Sequence, residues 1–141
     1  MTRNTFRWLL VVFGIMVLCA GPAAAQGPSV KLLQKEGIGT YIADGKGMTL
    51  YYFAKDAPGK SVCTGDCLGK WPPLQAGKLD VGAGLAAKDF GELATPNGTL
   101  VTFRGYPLYY FFKDAKVGDT NGQGVGGVWF VIDPQAFPPG K

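Results

Sequence analysis

This chain contains an internal duplication, which limits the folds that it can adopt. The segment LYYFAKDA at residues 50–57 returns as LYYFFKDA at residues 108–115, with seven of eight letters identical and an offset of 58 residues. The same offset places Trp71 on Trp129 without a gap, so the match extends over about 25 residues. A match of this kind indicates that one structural unit has been duplicated.

Each repeat has the composition of β-strands joined by tight turns. β-Branched and aromatic residues at 40–42 and 49–53 flank Asp44-Gly45, and Asp-Gly between such segments is typical of a type I′ hairpin turn. In the second repeat, Asn97-Gly98 and Arg104-Gly105 mark further turns between apolar segments. We therefore predict short strands throughout both repeats.

The first 25 residues have the three-part design of a secretory signal peptide. Basic residues precede an apolar run over residues 8–19, and the alanines at 23–25 fit a cleavage site. The run is short for a membrane-spanning helix. The disfavoured alternative is a lipoprotein signal with an acylated Cys19, because Leu18 stands where a small residue is needed.

Cleavage after residue 25 leaves residues 26–141, a length of about 116 residues that suits a single domain with one core. We predict an all-β or mainly β fold in which two pseudo-symmetric units, at about residues 38–75 and 96–133, form one compact sandwich or partly open barrel. We expect one short-range disulfide, between Cys63 and Cys67, to stabilise it.

The composition argues against several classes of function. The chain has no His, which removes the commonest general base and the usual ligand of haem and zinc. Without the leader's Arg3 and Arg7 the formal net charge falls from +4 to +2, and the remaining basic residues are dispersed. We therefore expect no catalytic residue, no metal, no cofactor, no nucleic-acid partner and no transmembrane segment in the mature chain.

The repeated aromatic segment has two interpretations. Strand alternation places Tyr51 and Phe53 on one face and Leu50 and Tyr52 on the other, so both faces are apolar. This pattern favours a buried central strand in each repeat. An exposed aromatic platform for sugar rings or a flat cofactor is the alternative, because aromatic side chains bury large areas in either setting.

Asp56 and Asp114 each follow one copy of that segment. An Asp at this position commonly accepts backbone N–H groups and fixes the loop that follows. A duplicated acid/base pair is the less favoured alternative, since symmetry-related copies need not approach each other.

The cysteines that remain after cleavage are four positions apart, in CTGDC at residues 63–67. An exported chain favours a disulfide between Cys63 and Cys67, and one helical turn would bring them together. A redox-active pair is a second possibility, although C-x-x-x-C is not the C-x-x-C of thioredoxin-like proteins. Two thiolates without partners would supply half of a zinc site.

A glycine-rich loop at residues 118–127 occupies the equivalent position in the second repeat. Asp119, Asn121 and Gln123 make it a possible ligand loop, and their spacing matches the first half of a calcium-binding loop. The twelfth position is Phe130 and not Glu, which argues against calcium. The loop also contains G-x-G-x-x-G, but a strand follows where phosphate binding requires a helix.

The longer segments carry a family resemblance. TLYYFAKDAPGKSVCTGDCLGKWPPL and GYPLYYFFKDAKVGDTNGQGVGGVWFVI resemble a bacterial family described as a secreted repeat of unknown function, predicted lipoproteins with a Y-x-(F/W/Y)-x-x-D motif. The motif is met twice here, by Tyr51, Phe53, Asp56 and by Tyr109, Phe111, Asp114, and Trp71 and Trp129 follow as structural aromatics.

The resemblance implies a bacterial envelope protein that is periplasmic or secreted, and it supplies no established activity. We expect a non-enzymatic binding or structural module whose partner is an unknown envelope protein or a small ligand. The alternative is a periplasmic redox or electron-transfer accessory that uses the Cys63–Cys67 pair.

Overall fold

The computed structural model describes residue 21 and residues 29–139. The predicted leader, apart from residue 21, and Cys19 lie outside the described residues. The strands are β1 (Ser29–Lys35), β2 (Gly39–Asp44), β3 (Tyr51–Phe53), β4 (Asp80–Val81), β5 (Phe90–Thr95), β6 (Gly98–Phe103), β7 (Tyr106–Pro107) and β8 (Trp129–Val131). A short helix α1 (Asp66–Lys70) and 3-10 turns at Ala87–Asp89 and Val125–Gly127 complete the elements.

The strands form three small sheets, with the orders β2-β1-β4, β3-β8 and β5-β6-β7. The predicted mainly β fold with one short-range disulfide is confirmed. Within residues 29–139 the sheets do not close into a barrel.

The turns of the second repeat form as the sequence predicts. Asn97 lies in the hairpin that joins β5 to β6, with Thr95 opposite Gly98. Arg104 and Gly105 form the two-residue loop between β6 and β7, and both have positive φ, 48° and 87°. Positive φ at both positions is the requirement of a type I′ turn.

The turn predicted at Asp44-Gly45 is different, and the type I′ prediction there was wrong. Positive φ occurs at Gly47 and not at Asp44 or Gly45. The reason is that the Asp44 carboxylate accepts the backbone N–H groups of Lys46 and Met48, both at 2.9 Å, and so closes a longer turn.

The pairing of β2 also differs from the predicted hairpin. β2 pairs along its whole length with β1, while its contact with residues 49–53 is reduced to one bridge between Ala43 and Thr49. The strand β3 is not free for β2, because its backbone groups pair with the second repeat.

The two repeats are interleaved in the centre of the molecule. β3 pairs with β8 on one side and, through Tyr51, with Tyr109 on the other. In the second copy only Tyr109 pairs, through isolated bridges to Tyr51 and Pro73, so the strand predicted in each repeat forms in the first copy and the prediction was wrong for residues 108–112. Each repeat therefore lays its aromatic segment against the C-terminal segment of the other repeat, as expected for a pseudo-two-fold axis between Tyr51 and Tyr109.

Strand alternation divides the buried side chains into two clusters, one on each side of these segments. The first cluster is aliphatic and aromatic, and its buried members are Val30, Ile42, Leu50, Tyr52, Leu74, Val101, Phe103, Leu108, Ile132 and Phe137. The second is dominated by aromatic rings and contains Tyr51, Cys63, Trp71, Tyr109, Phe111 and Trp129. The aromatic segments of both repeats are thus buried on both faces.

Candidate functional site

The tyrosines and aspartates of the two motif copies form crossed pairs, which we call the tyrosine–carboxylate pairs. The Tyr51 hydroxyl donates to Asp114 Oδ2 at 2.7 Å, and the Tyr109 hydroxyl donates to Asp56 Oδ2 at 2.7 Å. Each tyrosine therefore bonds the aspartate of the other repeat. A buried hydrogen bond to a charged acceptor typically stabilises a fold by about 1.5–3 kcal/mol.

The second oxygen of each carboxylate holds the loop that follows it. Asp56 Oδ1 accepts the Val62 N–H at 2.7 Å, and Asp114 Oδ1 accepts the Asn121 N–H at 3.0 Å. This is the loop-fixing arrangement predicted for an Asp at the end of a strand. Both carboxylates are engaged in separate hydrogen bonds, so the two do not form a shared acid/base pair.

Burial sets the protonation of these groups. Burial raises the pKa of the Asp56 and Asp114 carboxyls above the usual value, and the hydrogen bonds that they accept oppose part of that effect. Burial also raises the pKa of the Tyr51 and Tyr109 phenols well above 10.0. Both phenols therefore remain protonated donors at neutral pH.

Four rings stack across the pseudo-two-fold axis in the order Phe53, Trp129, Trp71, Phe111, and we call them the aromatic stack. Trp71 and Trp129 lie at the centre, 3.8 Å apart and 3° from parallel. Phe53 stacks on Trp129 at 4.3 Å, and Phe111 stacks on Trp71 at 4.2 Å. Phe53 and Phe111 occupy equivalent repeat positions, so the stack has the symmetry of the pairs.

The two features are in contact. The Tyr51 ring meets Trp71 edge-on at 5.5 Å, and the Tyr109 ring meets Trp129 edge-on at 5.2 Å. Both tryptophans are only 4% exposed. The aromatic-platform interpretation is therefore not supported for these rings, because their faces are covered by each other.

Gly122 allows this close packing. A Cβ at that position would lie 2.8 Å from Tyr51 Cε1 and 2.9 Å from Trp71 Cη2. The Gly122 N–H also donates to the Tyr51 hydroxyl at 3.1 Å. The glycine-rich loop thus closes over the aromatic core and reaches the tyrosine oxygen.

A separate apolar cleft lies beside β4 and β5, which are outer strands of their sheets. It has a volume of about 230 Å³ and is lined by Gly77, Leu79, Val81, Ala87, Phe90, Gly91, Glu92 and Val101. Its lining is mostly apolar, and Glu92 is the charged residue among these. None of the motif residues lines it.

The family follows from a comparison with known proteins. A family described as a secreted repeat of unknown function matches residues 34–75 and 93–133, which together are more than half of the chain. The chain belongs to this family. No curated protein and no solved structure matches it.

The secreted-repeat family assignment agrees with export of the chain, and each matched segment contains one motif copy. No helix in the described part of the chain combines the length and apolar character needed to cross a membrane.

The predicted disulfide of this secreted-repeat protein is present. Cys63 and Cys67 are bonded, with their Cα atoms 5.3 Å apart. Cys67 lies in α1, and Cys63 is buried in the same cluster as Trp71. The bridge therefore fixes the segment that carries Trp71 toward the stack.

The side chains of the predicted ligand loop bond the segments that flank it. Asp119 accepts the N–H groups of residues 115 and 116, Asn121 donates to the Lys113 carbonyl, and Gln123 accepts the Val131 N–H at 2.7 Å. Between residues 29 and 139 no group of three or more acidic or sulfur ligands is placed to hold a metal ion.

Two contributors to the site were not identified from the sequence. The Ser61 hydroxyl lies 2.7 Å from the Tyr109 hydroxyl, and Gly122 packs on Tyr51. The 58-residue offset relates the two copies but does not say whether a tyrosine bonds its own aspartate or the other one. Ser61 and Gly122 are not related to each other by the 58-residue offset, so the duplication did not indicate a role for either residue.

Proposed function

We propose that this protein is an exported, non-enzymatic module of the bacterial envelope, in which the repeated motif builds the fold and the apolar cleft binds a small ligand. The proposal rests on the separation between the motif residues and the cleft. The motif tyrosines and aspartates form hydrogen bonds with one another. The cleft, in contrast, is open, and it is lined by Leu79, Val81, Ala87 and Phe90.

The size of the cleft limits the ligand. Sites for drug-sized molecules usually have about 300–1,000 Å³, and a cavity of about 150 Å³ can hold benzene. The cleft has about 230 Å³, which suits a single ring or a short alkyl chain. The Glu92 carboxylate favours a ligand that also carries an amine or another hydrogen-bond donor.

Benzylamine is a suitable first probe, because it combines one ring with one ammonium group. We expect its addition at millimolar concentration to shift backbone amide resonances of residues 77–92 in NMR spectra. Ala87→Trp should fill the cleft and abolish the shifts. Ala86→Trp is the matched control, because Ala86 is also exposed but does not line the cleft.

Glu92→Gln separates the two parts of the proposed recognition. It should weaken the binding of benzylamine and leave the binding of toluene unchanged. Absence of shifts around the cleft, or shifts that survive Ala87→Trp, would contradict the proposed site.

We also propose export through cleavage after residue 25, which places the mature protein in the periplasm or outside the cell. The leader pattern and the secreted description of the family support this. N-terminal sequencing of the exported protein should begin at Gln26. A mature chain that begins at an acylated Cys19 would establish the lipoprotein alternative.

A redox accessory that uses Cys63 and Cys67 is the second candidate. One observation favours it, a cavity of about 80 Å³ that borders Cys63. Cys63 itself is buried, which limits attack by another thiol and agrees better with a structural disulfide.

A further inference from the structure

The central tryptophan rings lie face to face in close contact. Trp71 and Trp129 are 3° from parallel and their centroids are 3.8 Å apart, closer than the usual separation of about 4.5–7 Å between aromatic rings. When one ring loses an electron, the positive charge is shared with the other ring, because the two ring faces are in contact.

We propose that the Trp71–Trp129 pair and the two tyrosine–carboxylate pairs form a relay for one-electron oxidation. An oxidising equivalent captured by the tryptophan pair moves to Tyr51 or Tyr109. This inference rests on the aromatic core and is independent of ligand binding in the apolar cleft.

Ring contact provides the path for the electron. Tyr51 lies against Trp71 at 5.5 Å between centroids, and Tyr109 lies against Trp129 at 5.2 Å. These are van der Waals contacts, across which an electron tunnels without an intervening group. At the rim, Phe111 packs on Trp71 and touches Phe112, which is 54% exposed, so an oxidant can approach close to the pair.

The carboxylates provide the path for the proton. A phenol loses its proton when it loses an electron, and Asp114 Oδ2 and Asp56 Oδ2 each accept a hydrogen bond from a phenol at 2.7 Å. A buried phenol without such an acceptor would have to release its proton into an apolar core.

A one-electron oxidant of the radical class, such as an oxygen-centred radical, takes one electron from the tryptophan pair and is reduced. Tyr51 gives one electron to Trp71 and its phenolic proton to Asp114, which leaves a neutral phenoxyl radical and a carboxylic acid. A one-electron reductant of the ascorbate or thiol class then returns an electron to the phenoxyl oxygen, and the proton returns from Asp114. The Tyr109 half is equivalent.

A third tyrosine–carboxylate pair supplies a control. The Tyr110 hydroxyl donates to Asp44 Oδ2 at 2.9 Å, but Tyr110 packs against the first cluster and contacts no tryptophan ring within residues 29–139. It has the proton acceptor and lacks the electron path.

Pulse radiolysis of the full chain with azide radicals, which oxidise tryptophan by one electron, tests the relay. In the natural protein the absorption of the indolyl radical should decay into that of the tyrosyl radical at a rate independent of protein concentration. Tyr51→Phe and Tyr109→Phe should each lower the rate of this conversion about twofold, because the charge shared by the two tryptophans then has one tyrosine to reach, and the double variant should abolish the tyrosyl signal. Tyr110→Phe should leave yield and rate unchanged.

Asp56→Asn with Asp114→Asn tests the proton acceptors and should slow the conversion at least tenfold. Near-ultraviolet circular dichroism checks that each variant retains the aromatic core. If the double tyrosine variant does not fold, the two single variants test the relay. An unchanged rate of conversion in both single variants, or a loss of the tyrosyl signal with Tyr110→Phe, would overturn the relay and leave the stack a structural core only.

Discussion

Tyr51 and Tyr109 occupy the same position in the two repeats and exchange both of their backbone hydrogen bonds, at 2.8 and 2.9 Å. A residue can pair in this way with its own equivalent only if a two-fold axis passes between them. The crossed tyrosine–carboxylate pairs and the aromatic stack follow from that axis, because every contact made by one repeat is returned by the other.

The interleaving predicts that neither repeat folds alone. Separate fragments 29–83 and 84–139, divided in the exposed connector, should each be unfolded by circular dichroism, because each lacks the strand that covers its aromatic segment. Mixed together, they should recover the near-ultraviolet signal of the intact protein. A folded, monomeric single fragment would contradict the crossed arrangement.

Gly122→Ala should destabilise the protein by about 1–3 kcal/mol, the usual cost of forcing a methyl group into a packed core. The added carbon would meet the rings of Tyr51 and Trp71. Gly69→Ala is the matched control, because Gly69 lies in α1 with open space around its Cβ position. It should be neutral or stabilising by up to about 1 kcal/mol in urea unfolding. Equal effects of the two substitutions would contradict the close packing.

The buried carboxyls predict a pH dependence of stability. Since burial raises the pKa of Asp56 and Asp114 above 3.8, the folded state holds their protons more tightly than the unfolded state does. Their contribution is therefore fully present below about pH 3.8 and is lost as the pH rises through the folded pKa values.

Urea unfolding between about pH 3 and about pH 7 measures this contribution. The difference in free energy of unfolding between the natural protein and the Asp56→Asn/Asp114→Asn variant should become less favourable to the natural protein as the pH rises. A difference that grows with pH would mean that the folded carboxyl pKa values are lowered.

The disulfide closes a loop of only a few residues, so its removal should have a modest effect. Cys63→Ala with Cys67→Ala should cost about 2 kcal/mol from loop entropy, with a further loss from the cavity at the buried Cys63. Because Cys63 is buried, the reduction potential should lie below about −300 mV. A potential near about −200 mV or above would instead favour the redox candidate.

Much of the fold was predictable because it depends on local signals. The duplication predicted two pseudo-symmetric units, and Asn97-Gly98 predicted the β5–β6 hairpin, which the register confirms. Alternation in residues 50–53 predicted two apolar faces, and these face the two clusters. Cysteine spacing predicted the disulfide.

Those signals did not predict which residues of one repeat contact which residues of the other. A repeat pattern fixes which residues are equivalent, but Tyr51 has the same spacing to Asp56 whether or not it bonds that residue. The long pairing of β1 with β2 was missed for the same reason. The Asp44-Gly45 signal predicts a turn, but it does not say which strand pairs with the residues that precede the turn. The apolar cleft combines residues from 77–101 that no motif connects.

Double-mutant cycles on the free energy of unfolding test the crossed pairing of the repeats. Tyr51→Phe should couple to Asp114→Asn, and Tyr109→Phe to Asp56→Asn, by about 1 kcal/mol or more, because each pair shares a hydrogen bond. Tyr51→Phe and Asp56→Asn, which lie in one repeat and share none, should be additive within about 0.5 kcal/mol. Stronger coupling within a repeat than between repeats would contradict the crossed pairing.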